Sequence, residues 1–517
     1  MSRSMSRLSS ISRVFDPLGR AAARLQAALT DPARRERSVV VALAAYVVLW
    51  AIYGTVTKAP QGLHPDMTEL VAWSRDLAPG YLKHPPLAAW LVAAWFAVLP
   101  VAEWSYYLLA MLMPGIALWF IWRLSADYLD ADRRVVGLAL LTLVPFFNFH
   151  ALKFNVNTVM MPLWAATTFW FLRSYATRSR VYAALAGVGA AGCMLGKYWS
   201  VFLLAGLAVA ALVDSRRGAY FRSAAPWITA AAGALALAPH LAWLWRYDFA
   251  PFAYATAVHG EKSMASVAFG TLEYLGGAFG FVAIPLLIVL YVIRPSGAMA
   301  ADILWPADRH RRLAASAFWA PLLLPPAVAL AGGATINSLW AMPAFALLPV
   351  MLLSAPAAAI PAADARRIVM AAIAVPFAML LAAPIIAVIA QRNAPQAAAA
   401  QAPLLAAAVE RAWQSVTPQP LRFVGGDADL AYGVVTYSDR KPRALTGMAP
   451  PDATELARHG RVIVCFTDDA GCRDSAAAQA SRVPGSRTVE TTLARSFWTI
   501  AGRPRGYTIA LLPPQPQ

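Results

Sequence analysis

Long apolar runs separated by short arginine-bearing loops recur along most of this 517-residue chain. Hydrophobic residues make up 59% of the chain and charged residues only 14%, whereas about a quarter of a soluble domain is charged. Runs near the roughly 20 residues that cross a bilayer predict an α-helical polytopic membrane protein. We assign eleven spans, at 39–56, 105–124, 135–151, 158–172, 181–196, 200–213, 226–245, 270–293, 313–330, 338–355 and 368–390.

One further apolar run, 86–101, decides the topology. It opens with Pro-Pro, is short and contains Pro100. If it lies along the membrane surface as a juxtamembrane helix, the arginines of five later loops fall on the same side as the basic N-terminus. Arginine-rich loops are typical of the cytoplasmic side. We therefore predict a cytoplasmic N-terminus and a C-terminus outside, as in a bacterial inner membrane protein.

The chain divides into three parts by composition. A basic cytoplasmic tail (1–37) precedes a transmembrane domain (38–390), whose first outer (periplasmic) loop is 57–104. The remainder, 391–517, has short β-branched runs and turn residues, which predict a small periplasmic α/β domain. Cys465 and Cys472 in that domain flank a turn, so they can pair if the compartment is oxidising; the sequence leaves their pairing open.

Polar residues that are not arginine-rich gather on the predicted outer face. Lysines beside membrane spans are normally cytoplasmic. Several lysines on the predicted outer face therefore indicate an anionic ligand. The alternative for any one lysine is that it extends its ammonium group from the end of a span to the membrane surface. Open alternatives are a helix-dipole role for Glu69, a core role for His240 and a solvated loop for His259. The candidate site residues are Asp66, Glu69, Lys83, His84, Lys153, Asn155, Asn157, Lys197, Tyr198, His240, Arg246 and His259.

We expect no cofactor and no metal ion. His64 and His84 could join Asp66 or Glu69 around zinc, but the chain has no H-x3-H pair or compact Cys/His set. The net charge of +17 follows the loops rather than forming a basic surface, so we expect a lipid bilayer as partner and no nucleic acid.

Four stretches at the outer ends of the predicted spans carry recognisable motifs. The first combines a carboxylate with aromatic and Pro-flanked histidine residues. The other three join Lys, Asn or His to aromatic residues. The motifs are Asp66-x6-Trp73-Ser74-Arg75-x4-Gly80-Tyr81-x2-His84-Pro85-Pro86-Leu87, Lys153-Phe154-Asn155-x-Asn157-x6-Trp164, Leu195-Gly196-Lys197-Tyr198 and Ala238-Pro239-His240-x2-Trp243.

These motifs resemble bacterial members of the protein-O-mannosyltransferase-like superfamily, which includes the lipid A aminoarabinose transferase. The resemblance implies the GT-C architecture, with a catalytic Asp in the first outer loop, here Asp66. The sequence departs from the pattern at Met67, where relatives usually have Glu, and at Asn157, where they commonly have Asp. The missing second acid also weakens the case for a divalent metal.

The resemblance implies an inverting glycosyltransferase that uses a polyprenyl-phosphate sugar as donor. Asp66 would take a proton from the acceptor hydroxyl of a glycolipid, glycan or protein, and Lys197 would be the leading phosphate contact. The alternative is a transporter or flippase of a lipid-linked solute, although no internal repeat is evident and the ionisable groups lie at one surface. The sugar, the acceptor and the oligomeric state stay open.

Overall fold

The computed structural model describes residues 17–260, 263–393, 398–447 and 451–515. Of the predicted basic tail, 1–16 lies outside the described residues, whereas 17–30 is helical. The helices up to residue 393 are Arg35–Lys58, Pro65–Ser74, Leu87–Val98, Glu103–Ser125, Ala131–Thr142, Val156–Thr177, Arg180–Gly196, Val201–Val213, Arg217–Phe221, Ala225–Arg246, Ala250–His259, Met264–Phe281, Ala283–Ile293, Gly297–Leu304, Arg309–Gly332, Leu348–Leu353 and Ala362–Asn393, with 3-10 helices at Pro145–Phe147, Tyr198–Ser200 and Ser338–Leu347.

The predicted polytopic helical class is confirmed. Within the described residues, five helices are long and apolar enough to cross a membrane, and a sixth span results if Met264–Phe281 and Ala283–Ile293, bent by 56°, count as one. Several other predicted runs coincide with shorter apolar helices, such as Arg180–Gly196. The five long helices are Arg35–Lys58, Glu103–Ser125, Ala225–Arg246, Arg309–Gly332 and Ala362–Asn393.

Besides the bent run 270–293, two predicted runs are not continuous α-helices. The run 135–151 is helical only to Thr142, because Pro145 lacks an amide donor and disfavours helical geometry at the preceding residue. The run 338–355 begins as a 3-10 helix that contains Pro343 and becomes α-helical only at Leu348. Composition alone does not reveal these breaks, since the runs stay apolar throughout.

The first outer loop folds into two short helices. Leu87–Val98 has 12 residues, a length of about 18 Å at the usual helical rise, and is too short to cross a hydrocarbon core of about 30 Å. This length agrees with the predicted juxtamembrane helix. The other, Pro65–Ser74, is termed the Asp66 helix. It begins where the His64 side chain accepts a hydrogen bond from the Asp66 backbone amide and Pro65 occupies the first helical position.

The C-terminal part is an α/β domain, as predicted. Its main sheet has the order β2-β1-β3-β7-β4, in which β1, β2 and β3 run parallel and β7 is antiparallel to β3 and β4. Cys465 at β3 and Cys472 form a disulfide. The helices are Ala398–Gln414, Ala428–Tyr437, Ala453–His459 and Ala470–Ala480; the strands are β1 Phe423–Gly426, β2 Arg443–Ala444, β3 Arg461–Phe466, β4 Arg487–Leu493, β5 Ser496–Phe497, β6 Ile500–Ala501 and β7 Arg505–Leu512.

The α/β domain packs directly on the Asp66 helix. Its helix Ala428–Tyr437, termed the tail helix, lies against that helix, and Ala72 belongs to the buried core of the α/β domain. Arg443 at the sheet edge forms an ion pair with Asp76, just after the Asp66 helix. The C-terminal domain therefore fixes the position of the loop that carries the candidate base.

A close contact at Gly80 yields a test of this loop geometry. A Cβ added at Gly80 would lie 2.4 Å from the Trp243 ring, whereas one at Gly276 would meet nothing within 4 Å. Gly80→Ala should lower the free energy of unfolding by about 1–3 kcal/mol through overpacking. Thermal unfolding of the detergent-purified protein measures the change, with Gly276→Ala as the matched control. Equal stability of the two variants would contradict the close approach of the loop to Trp243.

Candidate active site

Asp66 lies where the first outer loop meets the helix Val156–Thr177. Its Oδ2 accepts a hydrogen bond from the Asn155 side-chain amide at 2.9 Å and lies 3.3 Å from the Lys153 ammonium nitrogen. The carboxylate remains 35% exposed, so it is reachable from the surrounding space. The first and second predicted motifs thus meet at one carboxylate.

The surroundings of Asp66 favour its ionised form. Burial alone would raise the pKa of Asp66, but Lys153, the Asn155 hydrogen bond and His64 together lower it below its usual value. His64 Nδ1 is 3.5 Å from Asp66 Oδ1, yet that nitrogen already accepts the Asp66 backbone amide. Burial lowers the pKa of His64. Asp66 is therefore an ionised carboxylate with a free lone pair, as a proton acceptor requires.

Asn155 is oriented by its own helix. Its side-chain oxygen caps the helix by accepting the backbone amides of Asn157 at 2.9 Å and Thr158 at 3.3 Å. This orientation leaves the side-chain NH₂ group to point at Asp66. The amide is nearly buried, with 8% of the residue exposed, so the helix start fixes the position of a donor to the candidate base.

Lys197 lies next to Asn157 on the other side of that helix start. Its ammonium group donates to Asn157 Oδ1 at 2.8 Å and sits 4.4 Å from the centre of the Trp340 ring. The His259 ring meets the same Trp340 edge-on at 5.1 Å. Among the described residues no carboxylate lies at hydrogen-bonding distance of this ammonium group, and burial lowers the pKa of Lys197 to about 7. A bound anion would stabilise the charged form of Lys197.

Glu69 and Lys83 form an ion pair one turn along the Asp66 helix. The Lys83 nitrogen is 3.0 Å from Glu69 Oε2. Burial raises the pKa of Glu69, with Lys83 opposing that shift. Burial alone would lower the pKa of Lys83, but Glu69 raises it overall. Lys83 is therefore largely neutralised by Glu69, which reduces its value as a phosphate contact compared with Lys197.

His84 lies in the cluster as a neutral imidazole. Desolvation, followed by the positive charges of Lys197 and Lys83, lowers the pKa of His84 to about 3. His84 therefore adds no positive charge for a phosphate. The local charges exclude a second proton, so His84 can contact a ligand only as a neutral donor or acceptor.

His240 and Tyr198 connect the loop to the bundle. His240 Nδ1 is 2.7 Å from the Pro79 carbonyl oxygen and its Nε2 is 3.0 Å from the Tyr198 hydroxyl. Because a carbonyl only accepts, Nδ1 carries the proton and Nε2 accepts the hydroxyl hydrogen. His240 is 2% exposed. Both ring nitrogens are used, which favours the alternative that His240 is a polar core residue holding the loop.

Arg246 is not brought to this cluster. It is exposed at the end of helix Ala225–Arg246, and among the described residues no hydrogen bond or ion pair joins it to the other candidates. The helix turns past the site before its last residue, so nearness in sequence to His240 did not translate into nearness in space.

The sequence interpretation missed two cavity residues, Lys58 and His150. Both line a cavity of about 400 Å³ next to Asp66, together with Lys153 and Asn155. Lys58 ends the first long helix and donates to Gln61 at 3.0 Å. Lys58 lies just beyond the predicted span 39–56. The argument that outer lysines indicate an anionic ligand applied to Lys58 as well, so the sequence alone could have identified it.

Metal binding finds no support among the described residues, where no three His, Cys, Asp or Glu side chains gather as a possible metal site. The expectation that no metal or cofactor is needed stays a prediction.

Three comparisons place the chain among known proteins. Residues 83–243 match the family model described as dolichyl-phosphate-mannose-protein mannosyltransferase. The lipopolysaccharide core galacturonosyltransferase RgtB of Rhizobium johnstonii is 28% identical over 336 residues, which is 62% of this chain and 66% of that protein. The alignment thus spans just under two thirds of the curated relative.

Two solved structures share the fold. They are ArnT from Cupriavidus metallidurans, one bound to undecaprenyl phosphate and one in the apo state, each with a TM-score of 0.57. The first is 13% identical and covers 91% of this chain and 97% of its own. The second is 11% identical and covers 94% and 100%. The chain therefore has the fold of ArnT. Part of the chain thus matches a mannosyltransferase family model, and the chain is similar to a galacturonosyltransferase, which agrees with the predicted resemblance.

His240 permits a test of how the loop is held. His240→Ala should leave the Pro79 carbonyl and the Tyr198 hydroxyl without their partner, at a cost of about 1–3 kcal/mol. Hydrogen exchange across 76–84 should then accelerate, because the contact that ties this loop to the bundle is gone. Arg246→Ala, on the same helix but away from the cluster, should exchange as the unsubstituted protein does. Unchanged exchange in His240→Ala would contradict the assigned linking role.

Proposed function

We propose that this protein is an integral membrane glycosyltransferase that moves a sugar from a polyprenyl-phosphate donor to an acceptor hydroxyl. The observation that carries the proposal is the ionised Asp66 carboxylate, fixed by Asn155 and Lys153 at the edge of a lysine-lined cavity. A general base beside fixed cations is what displacement of a phosphate leaving group requires. The family and the fold agree with this chemistry.

The reaction is a single displacement at the anomeric carbon. Asp66 takes the proton of the acceptor hydroxyl as its oxygen bonds to that carbon, and the bond from carbon to the carrier phosphate breaks. The phosphate leaves with the electron pair. Inversion follows, since a retaining route would need a nucleophilic carboxylate and a covalent intermediate. A positioned base of this kind contributes about 10²–10⁴-fold in rate.

Lys197 is the proposed contact for the leaving phosphate. Asn157 and Trp340 hold its ammonium group in place, and no carboxylate in the described part of the chain forms an ion pair with it. A fixed cation stabilises the charge that develops on the phosphate without reorganising during the reaction. Lys153 adds a second positive charge on the Asp66 side.

The donor sugar and the acceptor follow from the charges of the cavity and from the relative. Lys58 and Lys153 line the cavity, and such a wall suits a sugar that itself bears a carboxylate. The relative is named a lipopolysaccharide core galacturonosyltransferase. We propose an acidic sugar as donor substrate and an envelope glycolipid of the lipopolysaccharide type as acceptor, without a metal ion or other cofactor.

The proposed orientation places the site on the periplasmic face of a bacterial inner membrane. The disulfide Cys465–Cys472 supports it, because disulfides persist in oxidising compartments such as the periplasm. The basic N-terminus would lie in the cytoplasm.

Replacement of the base is the most direct test. Asp66→Asn should lower transfer at least about 100-fold, because the amide cannot accept the proton. The readout is mass spectrometry of envelope glycolipids from gene-deleted cells that express each variant. Asp439→Asn, an exposed aspartate after the tail helix, should keep full transfer. Undiminished transfer in Asp66→Asn would refute the assigned base, and net movement of labelled lipid-linked sugar across vesicles without transfer would favour a transporter instead.

Lys197→Met tests the phosphate contact. It keeps the side-chain stem but removes the charge, and it should raise the donor concentration for half-maximal rate at least about tenfold. The assay uses purified protein and polyprenyl-phosphate sugar extracted from gene-deleted cells. Lys441→Met, in an exposed turn of the C-terminal domain, is the control. A donor dependence equal to that of the control would contradict the phosphate role.

A further inference from the structure

One face of the tail helix packs on the Asp66 helix. Asp429, Tyr432 and Thr436 are spaced by three and four residues, so they share one side of that helix. Thr436 at its C-terminal end contacts the Asp66 helix, where its hydroxyl lies 3.4 Å from the Thr68 carbonyl oxygen. The two residues that precede it on this face therefore follow the Asp66 helix.

Tyr432 lies beside the same helix. Its hydroxyl donates to the Thr446 carbonyl at 3.2 Å, and a Cβ added at Gly447 would lie 2.4 Å from that hydroxyl and 3.4 Å from the Trp73 indole nitrogen. Trp73 is one helical turn after Glu69. Tyr432 thus reaches the side of the Asp66 helix that carries the Glu69–Lys83 ion pair.

Asp429 is one further turn along this face and is exposed. Partial burial, then the negative charges of Asp427 and Asp66, raise the pKa of Asp429, while Lys83 opposes that shift. The carboxylate is thus within electrostatic range of Asp66 and Lys83. Asp427 has a different role, since its side chain caps the tail helix by accepting the Leu430 amide at 3.0 Å.

The placement of Asp429 is fixed by contacts at the other end of its helix. The Arg75 guanidinium donates to the Val435 carbonyl and lies 3.4 Å from the Thr436 carbonyl. A cation at the carbonyl end of a helix is favourable both as a cap and for the helix dipole. The tail helix is therefore held against the loop at its carbonyl end, and Asp429 lies near its other end.

We propose that the C-terminal domain contributes Asp429 to acceptor binding, with its carboxylate accepting hydrogen bonds from hydroxyl groups of the acceptor sugar. This rests on the proposed function. Lys58, Lys153 and Lys197 lie on the bundle side, where Lys153 also balances the charge of Asp66, while Glu69 and Asp429 lie toward the C-terminal domain. Anionic groups of the donor substrate suit the lysines on the bundle side. Hydroxyl groups of the acceptor sugar, which readily donate hydrogen bonds to carboxylates, suit the side of the C-terminal domain.

The test compares Asp429→Asn and Asp429→Ala with Asp439→Asn, the control on the same domain. Product on envelope glycolipids is measured by mass spectrometry in gene-deleted cells expressing each full-length variant. Both Asp429 variants should reduce product about 10- to 100-fold, the loss expected for a charged hydrogen bond to substrate. Purified variants should keep the thermal stabilisation that added undecaprenyl phosphate gives the unsubstituted protein, because the donor side is untouched.

Each outcome either supports or overturns the acceptor-binding role of Asp429. Product near the control level in both Asp429 variants overturns the acceptor role while Asp66 keeps its own. Loss of stabilisation by undecaprenyl phosphate together with loss of product also overturns it, since Asp429 would then support the whole site. If the unsubstituted protein adds no sugar at all, the proposed function fails, and the acceptor role fails with it.

Discussion

The bond between Asp66 and the start of helix Val156–Thr177 is the interaction on which the site depends. Asn155 donates to the carboxylate and Lys153 supplies the balancing charge. One contact therefore joins the first outer loop to the bundle and keeps the candidate base ionised. Without it, a carboxylate at the membrane surface would lose hydration and gain a proton more easily.

The loop reaches this position because both its sides are held. His240 fixes Pro79 from the bundle, while Arg75 binds the end of the tail helix from the loop itself. Both contacts use carbonyl oxygens, which accept hydrogen bonds irrespective of the side chain they belong to. The loop that carries Asp66 is thus positioned by backbone acceptors and a small number of specific side-chain donors.

The sequence predicted the helical membrane class and the α/β domain, and it singled out Asp66, Lys153 and Asn155, which the structure brings together. Apolar periodicity and charge bias are strong signals because lipid imposes them on every span. It did not predict the helix break before Pro145, the neutral state of His84 or the exposed position of Arg246. Those depend on packing and on charges from distant segments, such as Lys83 and Lys197 around His84, and spacing along the chain does not encode them.

Arg75 and Val435 are 360 positions apart in the chain yet are directly bonded. A change in the C-terminal domain therefore acts directly on the loop that carries Asp66, so the two segments form one structural unit. If the C-terminal domain were exchanged between related proteins, the matching first outer loop would have to be exchanged with it. Substrate specificity in such proteins is then expected to change through paired substitutions, one in the first outer loop and one in the C-terminal domain, rather than through exchange of the domain alone.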